Sequence, residues 1–316
     1  MQLLENRAAE LRSRYGIAFR FTGIASRRLG WIADPEGLGE VESELARELP
    51  KPDPKINGVR DWLSAARADV LFEATSLNVE TGQPAVDHIR AALAHGAHAI
   101  TANKGPIVHA YHALRDLAAK QGKQFLFEST VMDGVPIFSL FDQLPAVHLE
   151  GFHGVLNSTT NVILSEMEQG LSFEEALHKA QQLGVAESDA SHDVDGWDAA
   201  VKTAALVTVL MDAPVRLDQI AREGIRDLTP GAARNAKRDG WPFKLVCRAY
   251  RTANGVEASV RPEKVRGSEP MARISGTSSY IYFQTDIFPG LAITEQSPGL
   301  HATAFGLLAD FLRAVT

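Results

Sequence analysis

The first part of the sequence alternates short apolar runs with segments whose apolar positions recur at helical spacing. Residues 70–74, 98–101 and 124–128 read as strands, and residues 84–95 and 106–120 read as helices that end at a glycine. Strands that alternate with helices of this length predict an open parallel sheet with right-handed crossovers. We therefore expect an α/β fold whose first domain is Rossmann-like.

This predicted domain opens on a helix. Residues 2–14 carry Leu3, Leu4, Ala8 and Leu11 on one face, and a strand-like run at 19–25 follows. A dinucleotide-binding fold normally opens with a strand and a Gly-x-Gly-x-x-Gly turn, and neither precedes this helix. We expect the N-terminal strand and the glycine-rich loop to be missing, apolar sheet edges to be exposed, and the natural chain to start upstream of Met1.

Beyond residue 136 the pattern changes to longer helices and then to paired strands. Ser172 and Glu175 form a capping box for a helix that Gly184 closes. Residues 244–251 and 256–261 flank Asn254-Gly255, and residues 280–285 face 291–294, which predicts two hairpins. We expect a nucleotide-binding domain at 1–135, an α+β substrate and oligomerisation domain with an antiparallel sheet at 136–299, and a helix at 300–316 that packs back on the first domain.

Composition narrows the class of protein. The chain has 316 residues, 45% hydrophobic and 22% charged, with a formal net charge of −7, which argues against nucleic-acid or anionic-membrane partners. Its single cysteine, Cys247, excludes an internal disulfide and suits a reducing compartment. No apolar run reaches the ~18 residues of a spanning helix, and the charged start does not look like an export signal. A cytoplasmic protein is predicted.

The most informative segment places acidic residues directly before an apolar helix. Glu187, Asp189, Asp193, Asp195 and Asp198 precede Lys202, and residues 204–211 are almost all apolar. Asp198 and Lys202 share a helix face because they are four residues apart. One interpretation is an exposed ion pair worth only ~0.3 to 0.5 kcal/mol. The other is a polar pocket for a cationic group, where desolvation lowers the pKa of Lys202 towards proton exchange at neutral pH.

Three further candidates follow predicted strands. Lys104 and the pair Thr75-Ser76 lie after two parallel strands, at the edge where such sheets bind ligands. The hydroxyls could face a phosphate or a ring amide, or simply cap a turn, and Lys104 could be a solvated turn residue. Arg27 follows the run 19–25, where NAD sites usually place an acid, so an arginine favours NADP there unless it is an ordinary surface residue.

Several motifs together resemble the homoserine dehydrogenase family. They are Ile-Thr-Ala-Asn-Lys-Gly-Pro at 100–106, Phe-Glu-Ser-Thr-Val-Met-Asp-Gly-Val-Pro at 127–136, Gly-Val-Leu-Asn-Ser-Thr-Thr-Asn-Val-Ile-Leu at 154–164, Ala-Glu-Ser-Asp at 186–189 and Asp-Val-Asp-Gly-Trp-Asp-Ala-Ala-Val-Lys at 193–202. The resemblance implies interconversion of L-homoserine and L-aspartate 4-semialdehyde with NADP or NAD, in the biosynthesis of threonine, methionine and isoleucine.

The resemblance also implies roles for particular residues. Lys202 corresponds to the proton donor and acceptor at the reacting oxygen, and Lys104 to a second lysine beside cofactor and substrate. Glu187 and Asp198 correspond to the acids that hold homoserine. The positions that correspond to the cofactor lining are Thr75, Gly184 and Gly299.

The same resemblance implies a monovalent cation, usually sodium, held by carbonyl oxygens of a loop. The matching residues are Glu128, Val131, Asp133 and Val135. Met132 and Asp133 are bulkier than the small residues usual in this loop, although backbone coordination tolerates that change. A tight loop without an ion is the alternative. Ser158 likewise replaces a common glycine.

Two rival functions remain open at this point. Without a phosphate-binding loop, the chain could be a catalytically silent homologue that acts as a binding or assembly module. It could also be a related dehydrogenase that acts on a different amino-acid aldehyde. We expect an enzyme with a small-molecule substrate, assembled as a homodimer or homotetramer through its antiparallel sheet.

Overall fold

A computed structural model describes residues 1–39 and 49–316. Two compact units divide the chain: Met1–Gly134 together with Leu300–Thr316, and Val135–Gly299. Among the described residues, no helix is both long and apolar enough to cross a bilayer.

Within residues 1–39 and 49–134, the first unit carries five α-helices and five strands. They are α1 (Gln2–Asn6), α2 (Ala8–Tyr15), β1 (Gly23–Ser26), β2 (Gly30–Ala33), α3 (Val59–Ala66), β3 (Val70–Glu73), α4 (Ala85–His95), β4 (His98–Thr101), α5 (Gly105–Gln121) and β5 (Phe125–Leu126). Strands β3, β4 and β5 form a parallel sheet in that order. The predicted Rossmann-like parallel sheet is therefore confirmed in the alternation of these strands with α4 and α5.

The start of this unit differs from the sequence prediction. The predicted helix at 2–14 is broken at Arg7 into α1 and α2, and it ends at Gly16, whose φ of 69° suits glycine. The predicted strand at 19–25 is only β1, which pairs antiparallel with β2 and not with the parallel sheet. The short turn at Arg27 explains this difference. It reverses the chain directly after β1, so β1 pairs with the next segment, β2, in an antiparallel ribbon.

The outer edge of β3 faces a cavity of about 860 Å³ within the first unit. In the part of the chain that the structure describes, no strand pairs with this edge. Most of the lining side chains are apolar, among them Ile17, Phe19, Phe21, Phe72 and Phe311. The sheet edge is thus apolar and open on this side.

The second unit contains six helices and six strands. They are α6 (Phe138–Asp142), β6 (Leu149–Val155), α7 (Ser158–Gln169), α8 (Phe173–Gln182), α9 (Ser191–Val194), α10 (Trp197–Leu210), β7 (Ala221–Arg222), α11 (Pro230–Arg238), β8 (Phe243–Thr252), β9 (Gly255–Lys264), β10 (Ser279–Thr285) and β11 (Leu291–Glu295). The strand order is β11-β10-β6-β8-β9-β7. The predicted antiparallel sheet is confirmed except at its edge, where β7 pairs parallel with β9.

Local chemistry explains several boundaries in this unit. The Ser172–Glu175 capping box is present at the start of α8. In the β8–β9 hairpin, Thr252 pairs with Gly255, so residues 253–254 form the turn. The turn therefore lies one residue before the predicted Asn254-Gly255 pair.

The last helix, α12 (Leu300–Val315), belongs to the first unit. Its residues Leu308 and Phe311 join a buried cluster with Leu4, Leu11 and Ile100. Because this apolar face meets α1, α2 and β4, the end of the chain contributes to the core of the first unit.

Candidate active site

Lys202 and Asp198 form an ion pair on the half-buried face of α10. The Lys202 Nζ lies 3.2 Å from the Asp198 Oδ2, and their side chains are 17% and 21% exposed. The Lys202 Nζ also donates a hydrogen bond of 2.6 Å to the Leu156 carbonyl at the end of β6. The rest of α10 is largely buried, so the amine lies at the rim of the apolar core and not on a solvated surface. The pair is therefore partly buried and not fully exposed, and its role as a pocket for a cationic group stays a prediction.

Asn157 joins a second acid to this pair. Its side-chain amide donates to the Asp193 Oδ1 at 2.7 Å and to the Asp198 Oδ2 at 3.0 Å. Burial and the neighbouring Asp198 charge raise the pKa of Asp193 above its ordinary value. Asn157, Asp193, Asp198 and Lys202 therefore form one hydrogen-bonded cluster, which we call the Lys202 cluster.

Helix starts position this cluster. Asn157 is the N-cap of α7, and its Oδ1 accepts from the Thr160 amide at 2.8 Å, which holds the side chain in place. Gly196 precedes α10 with φ of 80°, a conformation that favours glycine. It lets the chain turn sharply between α9, which carries Asp193, and α10, which carries Asp198. The local sequence thus brings both acids to one amide.

Three other predicted residues of this unit lie outside the cluster. Glu187 is exposed, and among the described residues no hydrogen bond or ion pair joins its carboxylate to the Lys202 cluster. Gly184 has φ of 69°, and a Cβ there would meet nothing within 4 Å, so its glycine serves the backbone turn. Gly299 is exposed and equally open.

The first unit holds the remaining candidates at the carboxyl edge of its parallel sheet. Thr75 and Ser76 follow β3 and are exposed, while Lys104 follows β4 and is the half-buried N-cap residue of α5. The Asn103 side chain donates to the Thr75 carbonyl at 2.9 Å and thereby ties the two loops together. Arg27 is exposed in the turn between β1 and β2.

The predicted cation loop is buried against α12. The Asp310 carboxylate accepts from the Glu128 amide at 2.7 Å, and the Ser129 hydroxyl donates to the Thr303 carbonyl at 2.8 Å. A Cβ on Gly134 would lie 2.3 Å from the Ala302 carbonyl oxygen, so only glycine fits this approach. Burial raises the pKa of Asp310 to about 7.

The resemblance assigns the cation to carbonyl oxygens of this loop. Val131 is buried, Asp133 has φ of 46°, and no hydrogen bond to either carbonyl oxygen occurs among the described residues. Val135 lies in the second unit, where its carbonyl accepts from the Ile137 amide at 2.8 Å. No group of three or more His, Cys, Asp or Glu residues within 1–39 and 49–316 is arranged to hold a metal.

Two family models match nearly the whole chain. Residues 136–312 match the model described as homoserine dehydrogenase, and residues 2–128 match the model described as homoserine dehydrogenase, NAD binding domain. The chain belongs to the homoserine dehydrogenase family.

Individual relatives agree with this assignment. An NAD(+)-dependent homoserine dehydrogenase of Pseudomonas canavaninivorans is 34% identical over 98% of this chain and 91% of its own length. The homoserine dehydrogenase of Methanocaldococcus jannaschii is 34% identical over 90% of this chain and 85% of its own. The resemblance drawn from the motifs is confirmed, and the chain is an oxidoreductase of this family.

Solved structures share the fold. The homoserine dehydrogenase of Thiobacillus denitrificans superimposes with a TM-score of 0.83 at 28% identity, over 99% of this chain and 69% of that one. A hyperthermophilic archaeal homoserine dehydrogenase mutant in complex with NADPH superimposes with a TM-score of 0.81 at 25% identity, over 98% and 92% of the two chains.

Sequence reasoning did not single out Asn157 or Lys244. Asn157 follows a β-run and precedes Ser-Thr-Thr, so its position in the sequence predicts the N-cap of a helix. Nothing in that pattern predicts that its side chain also contacts two acids. Lys244 is 2% exposed and donates to the Asn161 side chain at 3.0 Å and to the Ile274 carbonyl. Burial lowers the pKa of Lys244 to about 8. The sequence around Lys244 does not predict a buried lysine. Its amine contacts Asn161 in α7 and the Ile274 carbonyl, and both partners are distant along the chain.

Proposed function

We propose that this chain catalyses the interconversion of L-homoserine and L-aspartate 4-semialdehyde with a nicotinamide cofactor. The observation that carries the proposal is the Lys202 cluster, in which a half-buried amine lies 3.2 Å from the Asp198 carboxylate. Substrates with an α-ammonium and a terminal oxygen need an acid to bind one end and a proton donor at the other. This cluster offers both within one helix face.

Each residue has a definite task in this proposal. Bound NADP or NAD supplies or accepts the hydride at the substrate carbon. Lys202 gives a proton to the aldehyde oxygen in the reducing direction and takes it from the hydroxyl in the other. The Asp198 carboxylate, held by Asn157, receives the substrate ammonium and keeps Lys202 oriented. Glu187 is the second acid for that ammonium, and Lys104 lies beside cofactor and substrate.

The first unit supports the cofactor part of the proposal. Thr75, Ser76 and Lys104 lie at the carboxyl edge of a parallel sheet, where open α/β sheets bind nucleotides. Gly184 and Gly299 are carried over from the family resemblance as positions that correspond to the cofactor lining. We assign the nucleotide-binding role to the unit of residues 1–134 and 300–316, and the substrate role to residues 135–299.

The test of this function is a direct assay. Purified protein is mixed with NADPH or NADH and L-aspartate 4-semialdehyde, and loss of the dihydronicotinamide absorbance is followed. Turnover of this aldehyde, above that of glutamate 5-semialdehyde as a longer homologue, is expected. Turnover only with another aldehyde would favour the related dehydrogenase. The silent alternative has no support from the relatives, and it would require no cofactor binding even at millimolar concentration.

We propose NADP as the preferred cofactor, because Arg27 is an exposed cation that can pair with a 2′-phosphate. The names of relatives point both ways, since one is NAD(+)-dependent and another was solved with NADPH. Comparing kcat/KM for NADPH and NADH in the same assay determines which cofactor this chain prefers. A higher value for NADH would contradict the role of Arg27.

We propose further that the loop at 128–135 binds sodium through the carbonyl oxygens of Glu128, Val131, Asp133 and Val135. The Val131 and Asp133 carbonyl oxygens accept no hydrogen bond among the described residues, which leaves both oxygens available to a cation. The unfolding temperature is expected to rise with sodium chloride more than with choline chloride at equal ionic strength, because an ion that binds only the folded state stabilises it. Identical curves in both salts would contradict the site.

The predicted oligomeric state and cellular location both stay predictions. Assembly as a homodimer or homotetramer through the second unit's sheet would be measured by light scattering on the purified chain. A cytoplasmic location would be measured by fractionation of the source cells.

A further inference from the structure

Glu73 is a buried carboxylate at the ligand-binding edge of the parallel sheet. It is the last residue of β3 and is 2% exposed, whereas Ala74, Thr75 and Ser76 directly after it are exposed. A buried ionised carboxylate is costly unless hydrogen bonds compensate it. The contacts of Glu73 therefore explain why an acid is tolerated there.

Neighbouring donors surround both carboxylate oxygens. The Oε1 accepts from the Thr75 amide at 3.0 Å and from the Thr75 hydroxyl, and the Oε2 accepts from the Thr101 hydroxyl at 3.0 Å. The His88 Nδ1 lies 3.7 Å from the Oε1. Burial raises the pKa of Glu73, but the nearby His88 imidazole and the hydrogen bonds from Thr75 and Thr101 outweigh it and hold the pKa below its ordinary value. The group is thus an anion at neutral pH.

An anionic Glu73 fixes the direction of the Thr75 hydroxyl. An ionised carboxylate only accepts hydrogen bonds, and a hydroxyl has a single proton to give. Because Thr75 donates that proton to Glu73, its oxygen can only accept a hydrogen bond from a ligand. Thr75 is exposed on the open side of this edge.

This direction distinguishes the parts of a dinucleotide. A phosphate has acceptor oxygens and negative charge, so it would meet another acceptor and the Glu73 anion. A nicotinamide carboxamide presents N–H donors, which suit the Thr75 oxygen. Of the two ligand groups considered for the Thr75-Ser76 pair, the Thr75 hydroxyl oxygen therefore suits the ring amide and not the phosphate.

The same network reaches the loop that carries Lys104. The Thr101 hydroxyl accepts from the Asn103 amide at 2.9 Å, and the Asn103 side chain donates to the Thr75 carbonyl at 2.9 Å and accepts from the Gly105 amide at 2.9 Å. Lys104 lies between Asn103 and Gly105 in the sequence. Glu73 therefore holds the Thr75 side chain and, through Thr101 and Asn103, the backbone on each side of Lys104.

We propose that Glu73 is a positioning residue for the nicotinamide ring: it orients the Thr75 hydroxyl as the acceptor for the carboxamide N–H of the bound cofactor. The proposal rests on the proposed function, in which Thr75 lines the cofactor site. Glu73 itself touches neither cofactor nor substrate. Replacement by glutamine keeps its shape but adds a donor, which lets the Thr75 hydroxyl reverse.

The experiment compares two ligands on two proteins. The probes are oxidised NADP and its 3-acetylpyridine analogue, in which a methyl group replaces the amide nitrogen. Dissociation constants are measured by calorimetry and not inferred from turnover. The two compounds differ in redox potential, and that difference would also change the turnover rates. The native chain is expected to bind NADP about tenfold more tightly than the analogue, a difference of one hydrogen bond.

In Glu73→Gln this preference is expected to fall towards one, through weaker binding of NADP and unchanged binding of the analogue. Glu80→Gln, an exposed residue of the same loop, is the matched control and should keep the native preference. A purely structural role would weaken both ligands alike and keep their ratio, which would overturn the proposal. So would a native chain without any preference.

Folding does not limit the test. If Glu73→Gln unfolds, Thr75→Val carries the same question, because Thr75 is exposed and valine keeps its shape. A preference that persists in Thr75→Val would contradict the assignment. If the native chain binds neither ligand, the proposed function fails, and that outcome is distinct from loss of the preference alone.

Discussion

Replacing Lys202 by alanine is expected to lower kcat by about 10²- to 10⁴-fold, the usual contribution of a general acid–base group. The reason is geometric: Lys202 is the amine of the cluster that holds Asp198 and Asn157. Cofactor affinity should stay nearly unchanged, because the proposed cofactor residues lie mainly in the other unit. Steady-state kinetics and a cofactor titration measure both quantities.

A matched control separates chemistry from charge. Lys179→Ala removes an exposed lysine of the same unit, whose ion pair with Glu166 is 2.7 Å long, and should leave kcat unaltered. Lys202→Met is the companion variant, because it fills the space of the aliphatic stem and keeps the packing around α10. Native turnover in both Lys202 variants would remove this residue from the mechanism.

Replacing Asp198 by alanine is expected to raise KM for homoserine and to lower kcat/KM by about 10²-fold, since a charged hydrogen bond contributes roughly 1.5 to 3 kcal/mol. Its carboxylate is the proposed partner of the substrate ammonium and accepts from Asn157 at 3.0 Å. Initial rates over a wide range of homoserine concentration measure the effect. High substrate should recover more activity here than in Lys202→Ala.

Asp189→Ala is the control for this second variant. Asp189 belongs to the same acidic segment, but it is exposed and accepts from the nearby Ser191 amide at 3.0 Å. Its loss should leave KM for homoserine as it is. If Asp198→Ala and Asp189→Ala behave alike, the substrate is held elsewhere and the role of Asp198 is wrong.

Part of the candidate site was predictable because it depends on short-range spacing. Asp198 and Lys202 share a face of α10 at a separation of four residues, and the structure pairs them. Lys104 and Thr75 were found from their positions after strands, which is also a local property. The convergence of Lys104 and Lys202 on one substrate stays a prediction, because these residues belong to different units.

Other parts of the site depend on contacts between distant residues. Asn157 lies 41 positions from Asp198, and only the packing of α7 beside α9, which itself contacts α10, brings its amide to the two acids. Glu187, which belongs to the same acidic segment, is exposed instead. Sequence spacing could not distinguish these outcomes, because segment composition does not tell which side chains a fold brings together.

The sequence by itself determined the parallel strands and helices of the first unit, the capping box of α8 and the antiparallel pairs of the second unit, since periodicity and caps act over a few residues. Only the tertiary structure decided that the run at 19–25 forms a strand only at its end, in β1, which pairs antiparallel with β2. It also decided that Glu73 is buried among its donors and that Asn157 bridges two acids. These features depend on which surfaces meet, and that is fixed by packing across the whole unit.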